Sequence, residues 1–398
     1  AFGTMQGSET FLNVFVFFLI FAGIILDKMG VRFTAVLSGA VMLVGAVINW
    51  YAVTESFQGS GLETWFNNNL NYIPGFDELG ISPFYEGMPA SAKFAAVGFM
   101  IFGCGVEMAG ITVSRGIVKW FKGREMALAM GSEMALARLG VATCMIFSPM
   151  FAKLGGVIDV SRSVAFGVVL LMIALIMFIV YFFMDKKLDA QTGEAEEKDD
   201  PFKISDLGSI LSSSGFWLVA LLCVLYYSAI FPFQKYAVNM LQCNLVFTEV
   251  PADSFWATNT VTVIQYLIML VVAAAAFASN FSKRASMKNG LLVVAGVALV
   301  IFCYMGYMRQ SAETVFAVFP LLAVGITPIL GNYVDHKGKA ASMLVIGSLL
   351  LIFCHLTFAF VLPTLKESAV GGIVVAYLTI LVLGASFSLV PASLWPSV

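Results

Sequence analysis

Apolar residues run along this chain in blocks that are long, continuous and separated by short polar breaks. Windows able to cross a bilayer fall at 10 to 26, 33 to 53, 94 to 119, 126 to 152, 163 to 184, 214 to 240, 254 to 278, 289 to 308, 314 to 334, 340 to 362 and 371 to 395. A hydrocarbon core about 30 Å thick needs about 20 helical residues, so each window predicts a transmembrane helix, eleven in all. Two polar stretches are too long to be tight turns. The first, 54 to 92, carries Glu55, Glu63, Asp77, Glu78 and Glu86 and is expected to be a loop on the soluble side. The second, 185 to 213, is charged and then weakly amphipathic (Phe202, Ile204, Leu207, Ile210), which predicts a cytoplasmic linker ending in an interfacial helix.

The basic residues orient these helices. With Ala1 outside, the turns near residues 30, 122, 190, 285 and 337 are cytoplasmic and hold fourteen Lys and Arg, against five on the other side. An asymmetry of that size follows the rule that cytoplasmic loops are the basic ones. Composition agrees with an all-α polytopic membrane protein: 60% of the 398 residues are hydrophobic, 12% are charged, and the mean hydropathy is +0.92. A net charge of −2 without a basic tract argues against a nucleic-acid partner. The six cysteines are scattered, mostly inside apolar runs and without CxxC spacing, so no disulfide framework, metal site or cofactor is signalled.

Charge inside the spans carries the candidate chemistry. Glu107 and Arg115 lie in one apolar segment, Glu133 and Arg138 in the next, and the basic turn 120–125 joins the two. An ionisable group within a span costs several kcal/mol unless it is paired or hydrated, so by default it faces a partner or an aqueous cavity. Glu107 precedes Trp120 by thirteen residues and Arg138 follows Arg124 by fourteen. At about 1.5 Å per residue both sit roughly 20 Å from the cytoplasmic end, one acid and one base at a common depth. Two readings fit: a clamp for a zwitterion, with charge-assisted bonds to an ammonium and a carboxylate, or a structural ion pair. Glu133 and Arg138 are five residues apart and project about 140° from one another, so they do not share a partner. Glu133 and Arg115 read as gate or packing ions, with Glu133 also a candidate proton carrier.

A short pattern occurs twice. Gly23 to Arg32 (GIILDKMGVR) returns loosely as Gly331 to Lys339 (GNYVDHKGK), each at the cytoplasmic end of a span. A glycine turn, a carboxylate and following basic residues, repeated on one side, suggest a duplicated bundle. The pattern resembles the signature loop of the major facilitator superfamily. A closer resemblance, to the lysosomal dipeptide uniporter branch and its bacterial relatives, rests on Phe102-Gly103 through Glu107, Trp120 to Glu125, Ala137-Arg138-Leu139-Gly140, Tyr226-Tyr227, Phe231-Pro232-Phe233 and Leu394-Trp395-Pro396.

The resemblance implies a fold of two pseudosymmetric helix bundles. These are an N-terminal bundle over 1–184 (family helices 2 to 6), the linker 185–213, and a C-terminal bundle over 214–398 (family helices 7 to 10) with an extra two-helix hairpin inserted at 253–309. The chain is then expected to be truncated at both ends and to reside in the bacterial inner (plasma) membrane. It further implies that Glu107 binds a dipeptide's amino group and Arg138 its carboxylate. Tyr226, Tyr227, Phe233 and Trp395 would contribute to the substrate path, and Asp27, Arg32, Arg115, Glu133 and Asp335 to gating or coupling. Arg115 and Glu133 depart from the branch, which carries uncharged polar residues there.

The expected function is facilitated uniport of small zwitterions, dipeptides above all, by alternating access. The alternatives are a proton-coupled carrier of another organic solute and, from another class, a membrane receptor or assembly partner presenting the acidic 54–92 loop. The partners expected are the small solute and the lipid bilayer; the sequence leaves an accessory subunit open. No HExxH, GxSxG or Walker pattern occurs, so an enzyme is not expected. Of the two histidines, His336 reads as a solvated loop residue and His355 as a packed, hydrogen-bonded one.

Overall fold

The computed structural model describes residues 2–121, 126–192, 208, 210–282, 284–337 and 339–394, and every regular element among them is helical. Ten of these helices are long and apolar enough to cross a membrane. The described chain divides into two compact units, Ala1–Lys122 with Phe151–Ser209 and Gly123–Met150 with Ile210–Val398.

The first unit contains α1 (Phe2–Phe15), α2 (Phe18–Ala52), α3 (Gly61–Asn69), α4 (Ala90–Trp120) and α6 (Val160–Thr192). Phe17, left-handed at φ 54°, breaks the chain between α1 and α2. Within α2, Gly30 adopts φ 78° and ψ 165°, a region open essentially to glycine alone, and the chain doubles back there. The contacts along α4 show the reversal. Asn13 meets Gly103 and Asp27 meets Arg115, so the first arm runs with α4. After Gly30 the order inverts: Val31 lies near Gly116, Met42 against Gly105, and Gly45 against Phe102. The second predicted span, 33–53, is the arm of α2 after Gly30, while the first, 10–26, straddles the break at Phe17 between α1 and the first arm of α2; because α2 counts once, eleven windows become ten helices.

Small residues allow the arms to approach α4 closely. A Cβ on Gly45 would lie 2.5 Å from the Phe102 amide nitrogen, and one on Gly103 would lie 1.8 Å from the carbonyl oxygen of Glu9. The 54–92 stretch is a folded cap. Ser60 caps α3, its hydroxyl accepting from the Glu63 amide, and Phe57 stacks on Phe94 of α4 at 5.3 Å. Lys93, 1% exposed, donates to the Phe66 carbonyl (3.2 Å) and to Asn71 Oδ1 (2.7 Å), pinning this cap to the head of α4. α6 continues through Thr192, so the segment expected to open the linker begins as helix. Of the expected interfacial helix only Gly208 and 210–212 are described, and these are helical.

The second unit contains α5 (Met126–Ala152), α7 (Ser214–Asn244), α8 (Asn259–Phe281), α9 (Ala285–Arg309), α10 (Ala312–Lys337), α11 (Ala340–Leu356) and α12 (Ala369–Leu394). One core joins them, with Met269, Phe302, Phe316, Phe319, Leu321 and Phe387 almost wholly buried. α10 is its most buried stretch, and Val315 to Phe319 are each no more than 2% exposed. The residues expected as an inserted hairpin form α8 and α9 and belong to this same core. Gly325 of α10 lies against Ala276 of α8, and Gly306 of α9 against the Tyr377 hydroxyl and Thr314. α11 leaves regular geometry at Thr357–Val361, a π turn, and tightens into a 3-10 turn at Leu362–Leu365.

Candidate functional site

Arg138 sits midway along α5, and the environment its own unit gives it is aromatic. Its guanidinium carbon lies 4.4 Å from the centroid of the Phe387 ring, within cation–π range. Tyr226 and Tyr227 of α7 lie within its electrostatic reach. Tyr226 is buried and donates its hydroxyl hydrogen to the Ser386 carbonyl at 3.2 Å, which fixes α7 against α12 beside Phe387. Tyr227 packs edge-on to Tyr226 at 5.6 Å and stacks on Phe231 at 5.0 Å. The structure thus brings together Arg138, Tyr226 and Tyr227. Within that unit, among the described residues, Arg138 has no carboxylate partner.

Phe233 is placed differently. It stacks on Phe358 at 5.1 Å and lies 6.1 Å from Phe316 and 5.5 Å from the His355 ring, inside the aromatic core of α7, α10 and α11. Trp395 lies outside the described residues, as does the side chain of Asp335.

Glu107 belongs to the first unit, on α4 one turn beyond the Gly103 crossing with α1. The charge that acts on it there is a second carboxylate, Glu9 of α1. Glu9 stands one residue before the first predicted span, so the apolar window left it out. Phe387, the ring under Arg138, is one aromatic among many in the sequence, and nothing local sets it apart.

The expected gating residues resolve into pairs. Arg115 meets Asp27 at 2.5 Å, joining α4 to the turn of α2. Arg32 joins a denser cluster in which Asp185, with its side chain fully buried, accepts from Arg32 Nε (3.0 Å), Lys119 Nζ (2.7 Å) and Trp120 Nε1 (2.8 Å). Asp189 completes it, paired with Arg32 and with Lys119 at 2.8 Å. These residues tie the Gly30 turn of α2 to the C-terminal parts of α4 and α6. Glu133 is unlike them: its Oε2 is buried with no hydrogen-bond partner among the described residues. Among the described residues no cluster of His, Cys, Asp or Glu could hold a metal. A cavity of about 480 Å³ opens between α1 and the segment 77–85, and none of the expected site residues borders it.

Residues 2–312 match the family described as the Major Facilitator Superfamily. The chain is also similar to curated proteins described as the lysosomal dipeptide transporter MFSD1. That of Bos taurus is 22% identical over 310 residues, which is 76% of this chain and 51% of the relative. That of Danio rerio is 22% identical over 310 residues, and that of Homo sapiens 20% over 309, with the same shares covered. The chain spans about half the length of the curated relatives it matches. No solved structure matches it.

Proposed function

Because this chain belongs to the Major Facilitator Superfamily, we propose that it carries a small zwitterionic solute, most simply a dipeptide, across a membrane by facilitated alternating access without a coupled ion. The observation that carries the reading is Arg138, a permanent cation in a membrane span to which the described residues of its own unit offer a ring face and two phenols and no carboxylate. A buried charge is costly without a counter-charge, and a substrate carboxylate would supply one through a bidentate, charge-assisted contact. Glu107, on α4 of the first unit, would offer the complementary negative end for an ammonium. The dipeptide assignment draws on the printed function of the MFSD1 relatives.

Two bundles, over 1–184 and 214–398 and joined by the linker 185–213, are the proposed working parts, in a bacterial inner membrane; α5 lies within the first of these by sequence but groups with residues 210–398 by its contacts. Purified protein reconstituted in liposomes should take up a labelled dipeptide down its gradient. Glu107→Gln and Arg138→Ala should each reduce uptake at least about 100-fold, the equivalent of losing one charged hydrogen bond of roughly 3 kcal/mol. Uptake unchanged in both variants would reject these roles. The unpartnered Oε2 of Glu133 favours a second reading, a proton-coupled carrier. Substrate-driven acidification of the liposome lumen that Glu133→Gln abolishes would replace uniport with it.

A further inference from the structure

Phe387 on α12 stands where three neighbouring helices converge. The carbonyl of Ser386, the residue before it, accepts from the Tyr226 hydroxyl of α7 at 3.2 Å, and the Ser386 hydroxyl donates to the Gly347 carbonyl of α11 at 2.7 Å. Three residues back, Gly384 meets α10 so closely that a Cβ there would lie 3.1 Å from the Phe319 carbonyl. The Phe319 ring itself backs Phe387 at 5.3 Å and is stacked in turn on Phe316. Phe387 is 2% exposed, so the ring is held by packing as well as by its fixed backbone.

Against this fixed ring lies a side chain that is flexible by nature. An arginine stem has many rotamers, and freezing them when a ligand arrives is a cost that a preorganised site avoids. The Phe387 ring, its centroid 4.4 Å from the guanidinium carbon of Arg138, attracts the cation through its π face. A phenyl ring has no lone-pair acceptor, so the contact takes up none of the five N–H donors and cancels none of the charge. A carboxylate in the same place would also hold Arg138, but it would neutralise the guanidinium and occupy its fork. A ring is thus the partner that orients this cation and still leaves it able to grip a carboxylate through two parallel bonds.

We propose that Phe387 is the positioning residue of the carboxylate site: it holds the Arg138 guanidinium ready for a substrate carboxylate and so sets how strongly the site prefers a free carboxylate to its amide. This role rests on Arg138 being the carboxylate site of a carrier. It differs from packing in what it depends on. Packing follows the volume of the ring, whereas the attraction of a cation follows the electron density on the ring face.

Ring electronics can be changed at nearly constant shape. The full chain, reconstituted in lipid nanodiscs, would carry one, three or five fluorines on the Phe387 ring, and calorimetry would compare its binding of alanylalanine and of alanylalanine amide. Fluorine withdraws electron density from the ring face, so affinity for alanylalanine is expected to fall stepwise, by about fivefold with the fully fluorinated ring, while affinity for the amide stays level. A flat series in a protein that prefers alanylalanine to its amide would overturn the proposal and leave the dipeptide reading standing. An equal loss for both ligands, the mark of packing, would do the same. An unsubstituted protein with no preference for the free carboxylate would overturn the dipeptide reading and this role with it. If the fluorinated proteins do not fold, the ¹⁵N–H signals of Arg138 in the unsubstituted protein, assigned by their absence from Arg138→Lys, decide the matter. Ring-shielded protons are expected there, and signals at the frequencies of an exposed arginine would overturn the proposal.

Discussion

In the first unit the acids at the basic helix ends meet cations, whereas in the second the arginine at mid-span meets ring faces. Asp185 collects an arginine, a lysine and an indole N–H, and Asp27 has Arg115. Arg138 has Phe387 and the neighbourhood of two tyrosines. The difference separates two uses of charge. A cluster whose ions are matched internally has its fields cancelled at short range and serves to hold helices in register. A half-buried cation with no matching anion among the described residues of its own unit is not cancelled in this way. The first arrangement is expensive to break, and the second should be inexpensive to remove.

Substitutions test that contrast directly. The largest loss of stability is expected from Asp185→Ala, which strands Arg32 and Lys119 around a single remaining aspartate. Breaking a buried pair costs about 3 to 5 kcal/mol, and urea or thermal unfolding of the purified protein would show it. Gly103→Ala comes next, because its methyl group would meet the Glu9 backbone where no flexible atom can yield. Overpacking of this kind costs about 1 to 3 kcal/mol, and a double variant with a truncation in α1 would show whether that crossing is the cause. Arg115→Ala opens a half-exposed pair, at 31% and 35% exposure, and should cost less than about 1 kcal/mol, less still at high salt. Arg138→Leu should be nearly neutral in unfolding measurements, because among the described residues of its unit it leaves no paired carboxylate behind. A large loss of stability in that variant would mean that Arg138 is a structural ion after all.

The architecture was largely open to reading from the sequence, because hydrophobic length is a local property and a bilayer demands it. The turn at Gly30 was equally open, since a glycine between Asp27 and Arg32 at the end of an apolar run has few other uses. Asp185 was not. By sequence it stands just past an apolar stretch and looks like the exit from the membrane; its burial comes from Arg32 and Lys119, more than 60 residues away. The 54–92 segment looked like a loop because its acids are exposed, while the lysine that pins it lies beyond its end. His355 was recognised as a hydrogen-bonded residue, yet its second partner, the Ala229 carbonyl, is 126 positions distant. The core position of α8 and α9 likewise depends on contacts with α10 that no window of the sequence contains.

The central claim is that Glu107 holds the amino end and Arg138 the carboxyl end of one travelling molecule, and blocked ligands test it most directly. Binding of a free dipeptide, its N-acetyl derivative and its C-terminal amide would be measured by calorimetry on the wild-type protein, Glu107→Gln and Arg138→Ala. The wild type should prefer the free dipeptide over both derivatives by at least about tenfold, or 1.4 kcal/mol. Glu107→Gln should lose only its discrimination against the acetylated form, and Arg138→Ala only its discrimination against the amide. Equal binding of all three ligands by the wild-type protein, or loss of both preferences in each variant alike, would contradict the account.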